Sequence, residues 1–193
     1  MPADLTAPPP LQVEPTALAG VKLLRPQAYA DARGSFFEAW HRPRFARLGL
    51  SADFVQDNVV GSRHQVLRGL HFQYPRAQLK LVSVLHGEVF DVVVDIRRGS
   101  ATYGQWHGWN LSAENHLQLW IEPGFAHGYQ VLSEYAVVNY KCTHVYEPAD
   151  DRTVNWADPL IGINWPLPNP ILSAKDQAAR NLAEFPDHEL FSS

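Results

Sequence analysis

The chain has 193 residues, of which 46% are hydrophobic and 11% aromatic, so it can bury one sizeable core but scarcely two, and we expect one domain. Its net charge of -4 excludes a broad basic surface for nucleic acid, so an anionic partner has to be held by a few local arginines and lysines. The single cysteine, Cys142, excludes an intramolecular disulfide framework, and no apolar run is long enough for a signal-peptide core or a membrane span. The predicted location is the cytoplasm, with no membrane partner.

The predicted elements begin after a proline-rich stretch. Residues 1–20 have little apolar periodicity, and we expect them to form an extended arm outside the core, followed by a single domain over residues 21–193. Helical periodicity is present only at residues 42–50 and near the C-terminus. Elsewhere, short segments rich in Val, Phe, Tyr and Trp alternate with turn residues. This pattern predicts an all-β fold with a few short helices near the N- and C-terminal regions.

The middle of the chain carries the clearest strand patterns. Residues 80–85 and 88–97 read as two strands that we expect to pair as a hairpin through the dipeptide HG. Residues 116–121 and 129–146 predict further strands. Bulky side chains occur on both faces of these segments, which favours two stacked sheets or a squat barrel with a lined interior over one sheet with a wet face.

Polar side chains interrupt the predicted strand that follows Val66. Alternation along an extended chain places His71 and Gln73 on one face, and Arg68 on the opposite face with Leu70. Buried polar groups cost free energy unless they are paired, so an apolar protein has little reason to carry several of them in one strand. The stretch therefore indicates a functional cavity, although each histidine taken alone also fits a satisfied core residue.

Two other segments place polar groups at strand spacing. Alternation aligns Tyr140 with Tyr146 and leaves Lys141 on the opposite face, and it puts Gln56 and Asn58 on a shared face. A strand tyrosine is usually a core residue whose hydroxyl is hydrogen-bonded. The convergence of several such groups favours a shared polar site.

Seven ordered motifs between residues 21 and 179 carry a resemblance to a known family. They are DARGSFFE (31–38), QDN (56–58), VLRGLHFQ (66–73), KLVSVLHGEVFDVVVDIR (80–97), LWIEPGFAHGY (119–129), YKCT (140–143) and LSAKD (172–176). On these motifs the chain resembles the dTDP-4-dehydrorhamnose 3,5-epimerases, sugar-nucleotide epimerases of the cupin-like jelly-roll class. The resemblance implies a jelly-roll β-sandwich or barrel. It also implies inversion of C5 and C3 of dTDP-4-keto-6-deoxy-D-glucose, which gives dTDP-4-keto-L-rhamnose, and we expect no cofactor.

The resemblance assigns the catalytic groups residue by residue. His71 is the base, since a neutral imidazole can take a proton from a carbon next to a ketone near the working pH. Lys80 matches the position that stabilises the enolate on the C4 oxygen. Tyr140 matches the acid that delivers a proton to the opposite face of the sugar, and Tyr146 is expected to line the same cavity.

Asp176 has two interpretations. The resemblance implies a carboxylate that pairs with the catalytic histidine, orients its ring and favours the imidazolium once the proton has moved. The residues alone also fit a helix with Ser173 as its N-cap and Asp176, three positions on, as the reciprocal member of a capping box. On the sequence both interpretations stay open.

The resemblance further implies the side chains that hold the substrate. Arginines suit the diphosphate, because the guanidinium binds phosphate oxygens at two points. The family positions are Arg33 and Arg68 for the diphosphate and Phe36, Glu38, Gln56 and Asn58 around the nucleotide and sugar. Arg68 also fits a surface ion pair. In the family the N-terminal strands cross to a partner subunit, so RGSFFE is expected to serve the neighbour's site in a homodimer with exchanged strands.

Two positions depart from the family pattern. QLK places Leu79 where family members usually have glycine before the lysine, and HVY places Val145 where they have an aromatic hydroxyl. Neither change touches the proposed acid and base, but both bear on the fit to substrate. Inversion of a single carbon, as in related enzymes of antibiotic-sugar pathways, is therefore an alternative activity.

A metal-dependent cupin is the rival from another enzyme class. It would use His71 together with His127, which lies in EPGFAHG where cupins often carry a ligand. Such metal sites usually have a close His-x-His pair, whereas Gln73 stands where the second histidine would be. We therefore expect no metal, and a place for His127 near the substrate or as a satisfied structural residue.

Overall fold

The computed structural model describes residues 11–192, which form two packed β-sheets, a small ribbon and a few short helices. In chain order the strands are β1 (Leu11–Pro15), β2 (Val21–Pro26), β3 (Tyr29–Asp31), β4 (Gly34–Phe36), β5 (Gln56–Arg63), β6 (Leu67–Gln73), β7 (Lys80–His86), β8 (Glu88–Asp95), β9 (Trp106–Ser112), β10 (Gln118–Ile121), β11 (Phe125–Val131), β12 (Tyr135–Cys142) and β13 (Asp151–Thr153). The helices are α1 (Arg42–Arg47) and α2 (Ala174–Gln177), with 3-10 turns at Leu182–Glu184 and Asp187–Glu189.

The two sheets are antiparallel and their inner faces pack on each other. The larger has the strand order β1-β2-β10-β7-β12-β5 and the smaller the order β13-β6-β11-β8-β9. β3 and β4 pair only with each other and are called the β3–β4 ribbon below. Most strand neighbours are distant along the chain, as in a jelly-roll sandwich. The predicted all-β, cupin-like fold with a few short helices is confirmed.

Three apolar clusters explain why both faces of the strands carry bulky side chains. The central cluster fills the space between the sheets, with Val82 from the larger sheet and Val93 from the smaller. The second covers the outer face of the smaller sheet, where Phe185 from the first 3-10 turn region packs with Phe72. The third covers the outer face of the larger sheet and includes Phe45 of α1. Each sheet therefore buries apolar side chains on both of its faces.

The predicted hairpin between residues 80–85 and 88–97 is wrong. β7 pairs with β10 and β12 in the larger sheet, whereas β8 pairs with β9 and β11 in the smaller. The chain changes sheet at Gly87, where φ is +73° and a Cβ atom would lie 2.2 Å from the Tyr135 carbonyl oxygen. Only glycine fits such a corner, so the HG dipeptide marks a passage between sheets instead of a turn within one.

The boundary of the predicted N-terminal arm also needs correction. Residues 1–10 of that arm lie outside the described residues. β1, however, pairs with β2 along its whole length, and Leu18 in the connection between them is only 2% exposed in the central cluster. Residues 11–20 therefore belong to the sheet and its core, because the apolar side chains of LQVEP pack, partly buried, against the outer cluster of the larger sheet despite the prolines around them.

Helix α1 lies where the sequence placed it, whereas the helix predicted over residues 173–185 is shorter: α2 ends at Gln177, and only a 3-10 turn follows at Leu182–Glu184. α1 falls within the predicted residues 42–50, with His41 as its N-cap and Pro43 in its first turn, where a missing N–H costs nothing. α2 starts after the N-cap Ser173. No helix within residues 11–192 is long and apolar enough to cross a membrane.

Candidate active site

A cavity of about 360 Å³ opens between the two sheets. Strands β5, β7 and β12 of the larger sheet form one wall, and β6 of the smaller sheet forms the other. Six of the predicted site residues line it: Gln56, Asn58, His71, Lys80, Tyr140 and Tyr146. Polar groups from distant parts of the sequence therefore meet in one place.

His71 and Asp176 form a hydrogen-bonded pair at this cavity. Nε2 of His71 lies 2.6 Å from Oδ1 of Asp176, and the carboxylate side chain is only 3% exposed. In a neutral imidazole, the N–H at Nε2 donates this bond to the carboxylate, which leaves Nδ1 as the nitrogen that can accept a proton. The carboxylate thus fixes both the ring orientation and the tautomer.

The second oxygen of Asp176 binds the helix cap. The hydroxyl of Ser173 donates to Oδ2 of Asp176 at 2.8 Å, and the backbone N–H of Asp176 donates to the same hydroxyl at 3.1 Å. Ser173 is therefore the N-cap as predicted, but the reciprocal half of the capping box is not formed, because the carboxylate accepts from the Ser173 hydroxyl and not from its backbone N–H. The pairing with His71 and the contact with the cap coexist, since each carboxylate oxygen has its own partner.

The electrostatics of the pair favour a neutral histidine beside a charged carboxylate. Burial lowers the pKa of His71, and the cations of Lys175 and Lys80 act in the same direction, while the hydrogen bond to Asp176 opposes them. Burial alone would raise the pKa of Asp176, but hydrogen bonds from His71 and Ser173 and the charge of Lys175 bring this pKa below its usual value. These are the protonation states that a general base and its orienting partner need at neutral pH.

We expect Asp176→Asn to lower turnover by about 10²-fold or more, the scale of lost acid–base assistance. Asparagine keeps the shape of the side chain but loses the charge that stabilises protonated His71. Ser173→Ala is the matched control, because it removes the cap hydroxyl and leaves the contact with His71. It should cost about 0.5–2 kcal/mol in free energy of unfolding with near-normal turnover. Steady-state kinetics and thermal unfolding of both variants test this, and normal turnover in Asp176→Asn would leave capping as the only role of the carboxylate.

Lys80 stands on the opposite wall from His71, at the first residue of β7. Within residues 11–192, no carboxylate oxygen lies within the 4.0 Å ion-pair distance of its nitrogen. Burial lowers the pKa of Lys80, while Cys142 and the carboxylates of Asp151 and Asp91 act to raise it. A partly buried ammonium without a tight ion pair is suited to bind an oxyanion that develops on a substrate.

Tyr140 shares this wall with Lys80. It lies on β12, one strand beyond β7, and packs at the edge of the central cluster. Burial raises the pKa of Tyr140, so its hydroxyl stays protonated at neutral pH and can donate a proton. The next residue, Lys141, points to the outer face and pairs with Asp57 at 2.8 Å, as the alternation predicted.

Arg68 lies on the inner face of β6 with His71, contrary to the prediction from alternation. His71 pairs with His127, and Arg68 pairs with Tyr129. A separation of three residues along β6 therefore corresponds to two residues along β11, which is a β-bulge. The bulge contains Gly69, where φ is +131° and a Cβ atom would lie 2.5 Å from a Cα atom of β11. An extra residue in one strand reverses the alternation, so the face of Arg68 changes.

The contacts of Arg68 do not include the surface ion pair that was the alternative role for this residue. Its Nε donates to Oγ of Ser62 at 2.9 Å, and its charge lowers the pKa of Tyr140 in opposition to burial. The guanidinium is otherwise exposed and makes no ion pair with a carboxylate of the described chain. It lies beside the cavity lining and is free to bind an anion.

A polar wall holds the segment that follows β12. Nε2 of Gln56 donates to Oδ1 of Asn58 at 2.9 Å, and Oε1 of Gln56 accepts the backbone N–H of Tyr146 at 2.7 Å. The predicted strand over 129–146 is divided between the sheets: its first residues belong to β11, which ends at Val131, and a later part forms β12, which ends at Cys142. Tyr146 is therefore not a strand partner of Tyr140. Tyr146 reaches the cavity because the segment after β12 folds back onto β5.

Three predicted substrate-binding residues lie away from this cavity. Arg33 and Phe36 belong to the exposed β3–β4 ribbon, where Phe36 is 70% exposed and Arg33 pairs with Asp31. Glu38 forms an ion pair with Arg44 of α1. Their own chain therefore does not bring these side chains to His71.

His127 is a satisfied histidine behind the cavity. Its Nε2 lies 2.9 Å from both carboxylate oxygens of Asp91, and both side chains are almost fully buried. It lines a small space that also touches Lys80, but not the main cavity. Of the two roles expected for His127, the structural one matches these contacts.

The sequence did not predict two charged residues of the cavity lining, Asp151 and Lys175. Lys175 precedes Asp176 in the motif LSAKD, which was the available signal. Asp151 lies in β13, whose three residues are too few to show a strand pattern. Both residues reach the site through elements that are distant from β6 along the chain.

Most of the chain matches one known protein family. The family model for dTDP-4-dehydrorhamnose 3,5-epimerase matches residues 15–184. The chain belongs to this family. An epimerase of that name from Salmonella typhimurium is 53% identical over 167 residues, covering 85% of this chain and 91% of the relative. One from Neisseria gonorrhoeae is 49% identical over 180 residues, covering 89% of this chain, which spans 55% of that longer relative.

A solved member of the dTDP-4-dehydrorhamnose 3,5-epimerase family has nearly the same fold. It is the crystal structure of dTDP-6-deoxy-D-glucose-3,5-epimerase from Legionella pneumophila in complex with dTDP-4-keto-L-rhamnose. Its sequence is 46% identical, the match covers 95% of this chain and 98% of that one, and the TM-score is 0.92. The similarity to this crystal structure and the strand order thus both show the cupin-like fold.

The two departures from the epimerase family pattern lie outside the cavity lining. Leu79 packs against the cluster on the outer face of the larger sheet, and its N–H donates to the hydroxyl of Thr143 at 3.0 Å. Val145 is 61% exposed. Neither side chain crowds the space beside His71 and Lys80.

Gln73 stands where a metal-binding cupin would carry its second histidine, and it has a different task here. Its amide binds the carbonyl oxygens of Arg76 and Val145 and accepts the N–H of Glu147. Residues 11–192 contain no group of three or more His, Cys, Asp or Glu side chains arranged to hold a metal ion. The Gln73 amide instead links the segment that follows β6 to the segment that follows β12.

Proposed function

We propose that this protein is an isomerase that converts dTDP-4-keto-6-deoxy-D-glucose into dTDP-4-keto-L-rhamnose by inverting C5 and C3. The observation that carries the proposal is the placement of a paired histidine, His71, and a protonated tyrosine, Tyr140, on opposite walls of one cavity. Inversion needs a base on one face of the sugar and an acid on the other, because one group alone would return the proton to the side it came from. The family names of the relatives support the same reaction.

The proposed reaction uses three side chains of the cavity. His71 takes the proton from C5 at Nδ1, and the electrons of the broken C–H bond form an enolate with its charge on the C4 oxygen. Lys80 stabilises that charge. Tyr140 then gives its hydroxyl proton to the opposite face of C5, the ketone is restored, and solvent resets both groups. The same sequence at C3 completes the conversion.

The remaining predicted side chains are proposed to hold the nucleotide. Arg68 binds the diphosphate from beside the cavity, and Gln56 and Asn58 present amides to the sugar and base. Arg33 and Phe36 act on a second subunit, as the family pattern implies, in a homodimer with exchanged N-terminal strands. In support, a two-stranded ribbon is marginally stable by itself, and the β3–β4 ribbon exposes its aromatic side chains. A matching surface on a partner would cover them.

The location and further partners are also proposals. A cytoplasmic site of action fits the free and buried thiol of Cys142. The net charge of -4 supports the absence of a nucleic-acid partner. No membrane partner is proposed, since a soluble sugar nucleotide is the substrate.

The function is tested with dTDP-4-keto-6-deoxy-D-glucose in deuterated water, with C3 and C5 followed by NMR. We expect both carbons to be deuterated and inverted. Deuterium and inversion at one carbon would support the single-centre alternative, and no incorporation at either carbon would overturn both activities.

We expect turnover to be independent of added metal, because the chain supplies a protic base and acid and Gln73 occupies the second cupin ligand position. Turnover should stay within about twofold after exhaustive chelation, a change far below the 10²-fold or larger effects of losing a catalytic group. Recovery of lost activity by one specific divalent ion would contradict this expectation.

A further inference from the structure

An ion pair that the proposed chemistry does not use lies beside the His71–Asp176 pair. Nζ of Lys175 lies 2.5 Å from Oδ2 of Asp151, and the hydroxyl of Tyr146 donates to the same oxygen at 2.9 Å. The carboxylate of Asp151 is 12% exposed and the lysine side chain 48%. All three residues line the main cavity.

Both members of this ion pair are fixed to the elements that carry the pair of His71 and Asp176. Asp151 lies on β13 opposite Gln73 of β6, and Thr153 of the same strand lies opposite His71. Lys175 is the residue before Asp176 in α2. The ammonium is therefore drawn towards β13 and away from its own neighbour Asp176, whose Oδ1 stays with His71.

We propose that Lys175 is a positioning residue of the active site: its ammonium offsets the negative charge of Asp176, so that His71 meets the substrate as the uncharged imidazole, and Asp151 limits this offset by drawing the ammonium towards β13. The inference rests on the proposed function, because only a base catalyst has to be unprotonated at rest. A carboxylate partner orients the ring, but it also favours a charged imidazole. A nearby cation counteracts the second effect and leaves the orientation of the ring unchanged.

Charged groups reach His71 from several packed elements. α2 contributes Asp176 and Lys175, β7 contributes Lys80, and β13 contributes Asp151. β11 places His127 directly opposite His71, with Asp91 of β8 behind it. Burial is the largest influence that lowers the pKa of His71, the bond to Asp176 opposes it, and Lys175 adds to the lowering more strongly than Lys80.

The test is an NMR titration of His71 in the substrate-free protein. The imidazole signal is assigned by its loss in His71→Asn and followed in the parent and in Lys175→Gln, Lys175→Arg and Asp151→Asn. We expect the pKa of His71 to rise in Lys175→Gln, by on the order of half to one unit for one nearby charge. Lys175→Arg keeps the charge and should leave the pKa near the parent value.

Asp151→Asn should shift the pKa of His71 in the opposite direction. Asparagine leaves an acceptor for Tyr146 but no longer neutralises Lys175, and an ammonium released towards Asp176 would compete with His71 for that carboxylate. Both effects lower the pKa. The acid limb of kcat/KM should move to higher pH in Lys175→Gln and to lower pH in Asp151→Asn.

Two outcomes would overturn the proposal. An unchanged pKa of His71 in Lys175→Gln, with a raised KM, would make Lys175 a substrate-binding cation. Equal shifts in Lys175→Gln and Lys175→Arg, together with lost thermal stability, would make the pair a structural tie for α2. The titration needs no substrate, so a failure of the proposed function would appear as absent turnover in the parent while the His71 signal stayed readable.

Discussion

His71→Ala is expected to abolish deuterium exchange at both C3 and C5, with a loss of about 10²- to 10⁴-fold, the range for general acid–base assistance. Among the described residues, the cavity lining contains one imidazole, that of His71, and its buried partner Asp176 cannot replace it at the carbon. A single base next to the ketone can reach both protons on one face after a modest rotation of the ring. NMR in deuterated water measures both exchange rates in one sample.

His107→Ala is the matched control for this prediction. His107 is an exposed histidine on β9, where its ring packs on Trp109, and it does not line the cavity. Its loss should leave both exchange rates at the parent level. If C3 exchange persisted at the normal rate in His71→Ala, a second base would be required for that carbon.

Tyr140→Phe is expected to separate removal of a proton from its return. The variant keeps the ring, its packing against the central cluster and His71, and loses only the hydroxyl. We expect substrate to bind and C5 to exchange with solvent through His71, while inverted product forms about 10²-fold more slowly or worse. Deuterium at C5 with unchanged configuration is the signature to be sought by NMR.

Tyr135→Phe provides the control on the same strand. Tyr135 begins β12, is 44% exposed and lies outside the cavity lining, so loss of its hydroxyl should not affect inversion. Normal inversion in a folded, substrate-saturated Tyr140→Phe variant would reject Tyr140 as the acid. The remaining donors would be Tyr146 or a bound water.

Local alternation was sufficient for part of the site. Gln56 and Asn58 lie on a regular strand, and the alternation that paired them also placed Lys141 on the outer face. It failed at Arg68 because the bulge at Gly69 inserts one residue, and a single inserted residue reverses every face beyond it. The local sequence of β6 does not indicate which strand it will pair with.

Contacts between distant segments were beyond the reach of local patterns. The residues around Asp176 fitted a helix cap as well as a partner for His71, and the family resemblance supplied the pairing. Asp151 was missed because β13 gains its strand form from pairing with β6, not from its own three residues. The corner at Gly87 was misread for the same reason, since the partners of β7 and β8 decide which sheet each strand joins.

The bond between His71 and Asp176 joins residues that are 105 positions apart along the chain. Closing a loop of that length costs conformational entropy, and folds rich in such distant contacts form slowly. We therefore expect the pair to form late in folding, because it requires β6 to be paired with β11 and α2 to be docked on β6. The aromatic cover of the smaller sheet, with Phe185 on Phe72, holds the neighbouring C-terminal segment against β6. Loosening that cover should free Asp176 from His71 before the two sheets separate, so activity should disappear at a lower temperature or denaturant concentration than the β-structure.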